Sequence, residues 1–183
     1  MGAEARGAHE LLALLQGLEQ RSRRYARGLP ELTRNARQWD GLAFSVAGVR
    51  LVSLLSEVIE MFHLPAQVTR IPGVRGWMLG LANVRGSLLP LVDLQAYLGG
   101  ESLVPDKASR VLVIRSRGVT SGLLVPRVLG MRHFDLSLCR DNARIEGPVG
   151  AYVFEAFVDG DEVWPVFNMS ALAADPAFRV AAA

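Results

Sequence analysis

Cysteine is almost missing from this chain: Cys139 is the only one in 183 residues. No disulfide can form within it, which fits a reducing compartment. Histidine is scarce as well, limited to His9, His63 and His133. No HExxH, CxxC or EF-hand spacing occurs, and neither GxxxxGK[ST] nor GxGxxG is present. Ready-made metal, phosphate and dinucleotide sites are thereby excluded, so no metal and no cofactor are expected. Long apolar runs are lacking too. The stretch GWMLGLA ends at Asn83 and is too short to span a bilayer. The start, MGAEARGAHELLALLQGLEQRSRR, places Glu4 and Glu10 before a short apolar run and offers no small-x-small cleavage site, which argues against a signal peptide. Residue 6 is Arg, where myristoylation would need Ser or Thr. No direct membrane insertion is expected.

A dominant charge is also absent. Formal net charge is +2. Residues 1–40 hold seven Arg and five acids, and residues 41–183 hold thirteen basic and thirteen acidic residues. A neutral body lacks the basic face that nucleic acid requires, so no nucleic-acid partner is expected. Nineteen of the twenty basic residues are Arg, with Lys107 the exception. That bias is compositional, and bidentate recognition by Arg can matter only at particular positions.

What is present is an apolar half of the chain, at 50% of residues. HELLALLQGLEQRSRRYARGLP predicts an amphipathic N-terminal helix, with Leu11, Leu14, Leu15, Leu18 and Tyr25 on one face. Gly28 and Pro30 stop it, and Arg23, Arg24 and Arg27 suit its C-terminal end. From Gly41 the period changes to alternation, and short apolar runs are broken by X-Gly turns: Ala47–Gly48, Arg85–Gly86, Arg117–Gly118 and Asp159–Gly160. The turns recur as pairs. WMLGLANVRGSLLPLVDLQAYL resembles YVFEAFVDGDEVWPVFNMSALA, with Pro90 matching Pro165 and Asp93 matching Asn168. This predicts an internal duplication, 42–99 and 109–174, joined by GGESLVPDKAS. Short strands at this density predict an all-β fold of two small barrels, with one larger sandwich as the alternative. Residues 1–40 are a helical extension, 41–174 the body and 175–183 a tail.

The chemical inventory points away from catalysis. MRHFDLSLCRDN brings His133 and Cys139 six apart but shows no nucleophile elbow. Glu57 and Glu60 flank Val58 and Ile59 and are expected to face solvent on an edge. Asp93 and Asn168 each precede a short helix, where either can cap free N–H groups. No catalytic residue is assigned. Arg85 remains. The glycine of Arg85–Gly86 is explained by the turn, whereas Asp159 suits its own turn and Arg85 does not. It is either a solvated tip residue or a recognition residue.

About residues 41–174 resemble the CheW family of chemotaxis coupling proteins, with the run at 57–99 looking like its core. The family's Gly, Asn-hydrophobic-Arg-Gly turn and hydrophobic-Pro-hydrophobic-hydrophobic-Asp-Leu strand are met by Gly80, Asn83–Val84–Arg85–Gly86 and Leu89–Pro90–Leu91–Val92–Asp93–Leu94. The second half resembles it through SGLLVPRVLGMRHF, and the N-terminal extension with GMRHF is most similar to the pilus-associated PilI branch of twitching motility. The resemblance implies two intertwined five-stranded SH3-like barrels and no enzyme activity. It implies an adaptor between the cytoplasmic tip of a transmembrane chemoreceptor and the regulatory domain of a CheA-type histidine kinase, in a pilus pathway or, alternatively, a flagellar or other chemosensory one. The expected location is cytoplasmic, at the inner membrane face. It implies a contact surface of Gly80, Asn83, Val84, Arg85, Gly86 and Leu88, with Val84, Val125 and Val128 toward an apolar groove. One departure stands out: the family commonly has an acid where this chain has Pro126, followed by Arg127.

Overall fold

The computed structural model describes residues 37–182, so the N-terminal helix read above lies outside the described residues. Eleven strands and three short helices follow in order. They are β1 (Gln38–Val46), β2 (Val49–Leu54), β3 (Val58–Phe62), β4 (Met78–Val84), β5 (Ser87–Asp93) and α1 (Leu94–Tyr97). The second series is β6 (Arg110–Ser116), β7 (Val119–Val125), β8 (Arg127–Asp135), β9 (Cys139–Asp141), β10 (Val153–Asp159), β11 (Glu162–Phe167), α2 (Met169–Ala174) and α3 (Pro176–Ala182).

These strands form two sheets, ordered β8-β1-β2-β11-β10-β9 and β3-β6-β7-β5-β4. The first has six strands because the three-residue β9 adds an edge beyond the five expected. Each repeat sends its opening hairpin into one sheet and its closing strands into the other. That exchange is what intertwines the halves. The registers prove the duplication in detail. Val58, Glu60 and Met61 face Ile114, Val113 and Leu112, while Val128, Gly130 and Met131 face Phe44, Ala43 and Leu42. Both pairings are bulged at the same point, by Ile59 and by Leu129. The parallel contacts match as well, Leu91 with Gly122 and Val166 with Val52.

Alternation gives each sheet two faces. Ala43, Val52, Phe134, Phe157, Trp164 and Val166 fill one small core, and Ala82, Leu89, Leu91, Val111, Val113 and Leu124 fill the other. The opposite faces meet in a larger seam that includes Phe44, Leu51, Leu112, Ile114, Leu123 and Phe167. The seam lets two halves, each too small for an ample core, share one.

The caps behave as their chemistry predicts. Asp93 accepts from the Ala96 N–H at 3.1 Å, and Asn168 accepts from the Ala171 N–H at 2.7 Å. Asp93, 1% exposed, also accepts from the Leu103 N–H at 2.7 Å, which ties the connecting segment to the first half. The stretch read as a tail is instead largely packed structure. Asp175 accepts from the Ala177 N–H at the start of α3, and Phe178 is fully buried against Trp77 and Tyr97. Tyr152 donates to Asp175 at 2.6 Å and lies 3.0 Å from the Tyr97 hydroxyl, joining three distant segments.

Candidate recognition surface

The β4–β5 hairpin gathers six of the residues singled out from the sequence. Its two-residue turn holds Arg85 at φ +53° and Gly86 at φ +84°, the pattern of a type I′ turn. Asn83 accepts from the Gly86 N–H at 2.9 Å, so its side chain locks the turn. Gly80 lies at a bulge with φ +133°, and a Cβ there would strike the Thr69 carbonyl. Glycine is therefore what lets Thr69 pair with Leu81 across β4, through hydrogen bonds of 2.8 and 2.9 Å. Val84 is half-buried against the small core, and Leu88 is 70% exposed.

Arg85 is not free in solvent. Its Nη2 lies 2.7 Å from Oε1 of Glu60 on β3, although its side chain is 80% exposed. Ile59 and Met61 on either side of Glu60 are 50% and 46% exposed. The hairpin tip thus presents an ion pair together with β3, whose apolar side chains Ile59 and Met61 face solvent, and Leu88. Beside the hairpin, a cleft of about 420 Å³ runs between Pro65–Gln67 and Leu81, Asn83 and Leu88.

Several expectations need correction. Glu60 is bonded to Arg85, and Glu57 accepts from the backbone N–H and hydroxyl of Ser170 at 3.2 and 2.9 Å, so neither is a loose solvent-facing carboxylate. Val125 is fully buried in the seam and offers no surface to a partner. Val128 is half-buried on β8 of the other sheet, opposite Phe44, rather than at the hairpin. The fourth turn is shifted by one residue: Asp159 pairs with Glu162, leaving Gly160 and Asp161 as the central residues. Gly160, at φ +59°, occupies the first central position, as in a type II′ turn. The counterpart of Arg85 is therefore Gly160, not Asp159. Glu60, Ile59 and Met61 were missed as parts of the surface, because only long-range pairing brings them there.

His133 and Cys139, the two groups weighed for nucleophilic chemistry, are each held by a carboxylate. His133 Nδ1 lies 2.7 Å from the Asp40 carboxylate. The Cys139 thiol donates to Glu155 at 3.6 Å, and burial, then the nearby Glu155 charge, pushes its pKa up. A thiol so held stays protonated, the opposite of an activated nucleophile. Cys139, Asp141 and Glu155 are the one group of potential metal donors close together among the described residues, within 4.8 Å of one another. No helix among the described residues is long and apolar enough to cross a membrane.

The described residues thus form a strand-exchanged pair of sheets with an exposed Arg-Gly hairpin on an edge strand. Residues 40–177 match the model of the CheW-like domain, and the chain belongs to that family of coupling and scaffold proteins. It is 38% identical to Protein PilI of Pseudomonas aeruginosa over 90% of this chain and 92% of that protein. It is 37% identical to the chemotaxis protein CheW of Thermotoga maritima, over 40% of this chain and 48% of the relative. The fold is similar to the crystal structure of the scaffolding protein TtCheW from Thermoanaerobacter tengcongensis. The TM-score is 0.66 at 21% identity, covering 76% of this chain and 94% of that one.

Proposed function

We propose that this chain is a non-catalytic adaptor that couples the signalling tip of a transmembrane chemoreceptor to the regulatory domain of a CheA-type histidine kinase. Its pathway controls type IV pilus twitching motility, and it works at the cytoplasmic face of the inner membrane within receptor arrays. The near end-to-end similarity to Protein PilI supports the pilus assignment over a flagellar one. The observation that carries the coupling role is the hairpin itself. Asn83, Gly80 and Gly86 shape the backbone, while Arg85 and Leu88 project from it into solvent beside exposed Ile59 and Met61. An arginine set among apolar side chains is a frequent hot-spot composition.

The test is Arg85→Glu in titrations against a receptor signalling tip and a kinase regulatory domain from the same genome. The substitution places two carboxylates together at positions 60 and 85 and removes the partner's cation. Binding should weaken by about 2 kcal/mol or more, roughly 30-fold, with the circular dichroism spectrum unchanged. Unaltered affinity for both domains would refute the role given to Arg85.

A further inference from the structure

Methionine divides between core and surface. Met78 and Met169 are 7% and 0% exposed and sit in the seam. Met61 and Met131 are 46% and 62% exposed. Met1 lies outside the described residues. The exposed pair is also a matched pair. Met61 stands on β3 and Met131 on β8, each an edge strand of its sheet. The registers equate the two, as they equate Glu60 with Gly130: Met61 faces Leu112, and Met131 faces Leu42. Both leucines are buried in the seam. Each methionine is therefore the open end of a row whose next member is closed.

Sulfur chemistry singles out these two. Cysteine reacts with peroxides as its thiolate. Cys139 is half-buried, and burial, then the Glu155 charge, holds its thiol protonated. A thioether has no proton to lose and needs only access. Met61 and Met131 have that access, and Met78 and Met169 lack it. In the step itself the sulfur lone pair attacks the terminal oxygen of a hydroperoxide. An S–O bond forms and the O–O bond breaks. The proton of the attacked oxygen passes to the leaving oxygen, which departs as water or an alcohol. Sulfur gives up two electrons and the peroxide takes them. The product is a polar sulfoxide where an apolar side chain stood, and sulfoxide reductases reverse the change.

We infer that Met61 and Met131 are sites of reversible oxidation by hydroperoxides, and that the sulfoxide at Met61 weakens docking of the kinase regulatory domain. Met61 adjoins Glu60, which holds Arg85 at 2.7 Å, and shares β3 with exposed Ile59. A partner seated on the hairpin and β3 covers Met61. The sulfoxide oxygen then enters the contact as an acceptor that an apolar partner face does not answer. The fold tolerates the change, because Leu112 and Leu42 behind the two methionines stay packed in the seam. This rests on the coupling reading, because it takes β3 to be part of a partner contact.

The full chain is exposed to dilute hydrogen peroxide and followed by peptide mass mapping, with titration against the kinase regulatory domain before and after. Met61 and Met131 should each gain one oxygen about tenfold faster than Met78 and Met169. Affinity should fall about tenfold with the circular dichroism spectrum unchanged, and methionine sulfoxide reductases should restore it. Whatever its own starting affinity, Met61→Leu should lose less than about twofold on the same treatment, although its Met131 is oxidised. Met131→Leu should lose as much as wild type. Similar oxidation rates at all four methionines overturn the assignment of the sites. Undiminished affinity once the Met61 sulfoxide has formed, or an undiminished loss in treated Met61→Leu, overturns the role of Met61. An untreated wild-type chain that does not bind the domain overturns the coupling reading instead, and the peptide masses alone then judge the oxidation sites.

Discussion

Replacing Arg85 by Asn separates what the fold needs at the hairpin from what a partner needs. Three two-residue hairpin turns place a side-chain-bearing residue in the left-handed region: Ala47 at φ +49°, Arg85 at +53° and Arg117 at +50°. Each is followed by a glycine at +76°, +84° or +80°. A left-handed L-residue costs about 1–2 kcal/mol, whereas Asn tolerates the conformation and Asn-Gly is a favoured type I′ pair. Arg→Asn should therefore relieve about 1 kcal/mol at either arginine turn. Arg117 has no ion pair among the described residues, so its replacement should show the full gain. In a protein of this size that raises Tm by about 2–4 °C. At Arg85 the gain is offset by loss of the contact with Glu60. With the Arg85 side chain 80% exposed, solvent screening limits that contact to a few tenths of a kcal/mol. Arg85→Asn should then be neutral to about 0.5 kcal/mol stabilising in urea denaturation, while binding to the kinase domain falls. Destabilisation by more than about 1 kcal/mol would show that Arg85 is held for the hairpin, and the recognition argument would fail with it.

Gly80→Ala should destabilise the body by about 3 kcal/mol in the same urea assay, because a φ of +133° and the Thr69 carbonyl both exclude a Cβ. A loss below 1 kcal/mol would mean that the segment around Thr69 moves aside freely. Tyr152→Phe removes the hydroxyl that bonds Asp175 and Tyr97 and should cost about 1–2 kcal/mol at neutral pH. It should also flatten the pH profile of stability at both ends. The Tyr152 bond holds the Asp175 carboxyl below its ordinary value, so that contribution exists above about pH 4 and is lost on acidification. Burial, then the Asp175 bond, pushes the Tyr152 phenol up, so its contribution exists below about pH 10 and is lost as alkali ionises the unfolded chain. Denaturation profiles of wild type and variant that run parallel from acid to alkali would refute this assignment.

Local features are legible in the sequence, and features made by distant pairing are not. Hairpins, helix caps and the repeat depend on a few neighbouring residues, and Gly86, Asp93 and Asn168 announce them. Val125 was misread because β7 lies inside its sheet and packs on both faces, with Leu124 in one core and Leu123 and Val125 in another. A strand buried on both sides loses the alternation that reports orientation. Glu60 was misread because its partner is brought to it only when β3 and β4, the two edges of one sheet, come together. The turn at Gly160 shows the limit of composition most plainly. Asp-Gly is a good turn pair, yet the register chose Gly160–Asp161, and that single shift changes the comparison that matters. Arg85 and Gly160 each hold the first central position of a two-residue turn with matching flanking pairs, one turn of type I′ and the other of type II′. The fold is satisfied by glycine at that place. It gives no reason for arginine, and Glu60, which holds the arginine, has a glycine counterpart too. Neither the left-handed φ of Arg85 nor the strand pairing of Glu60 calls for those side chains, so their charge is what local backbone geometry leaves unexplained.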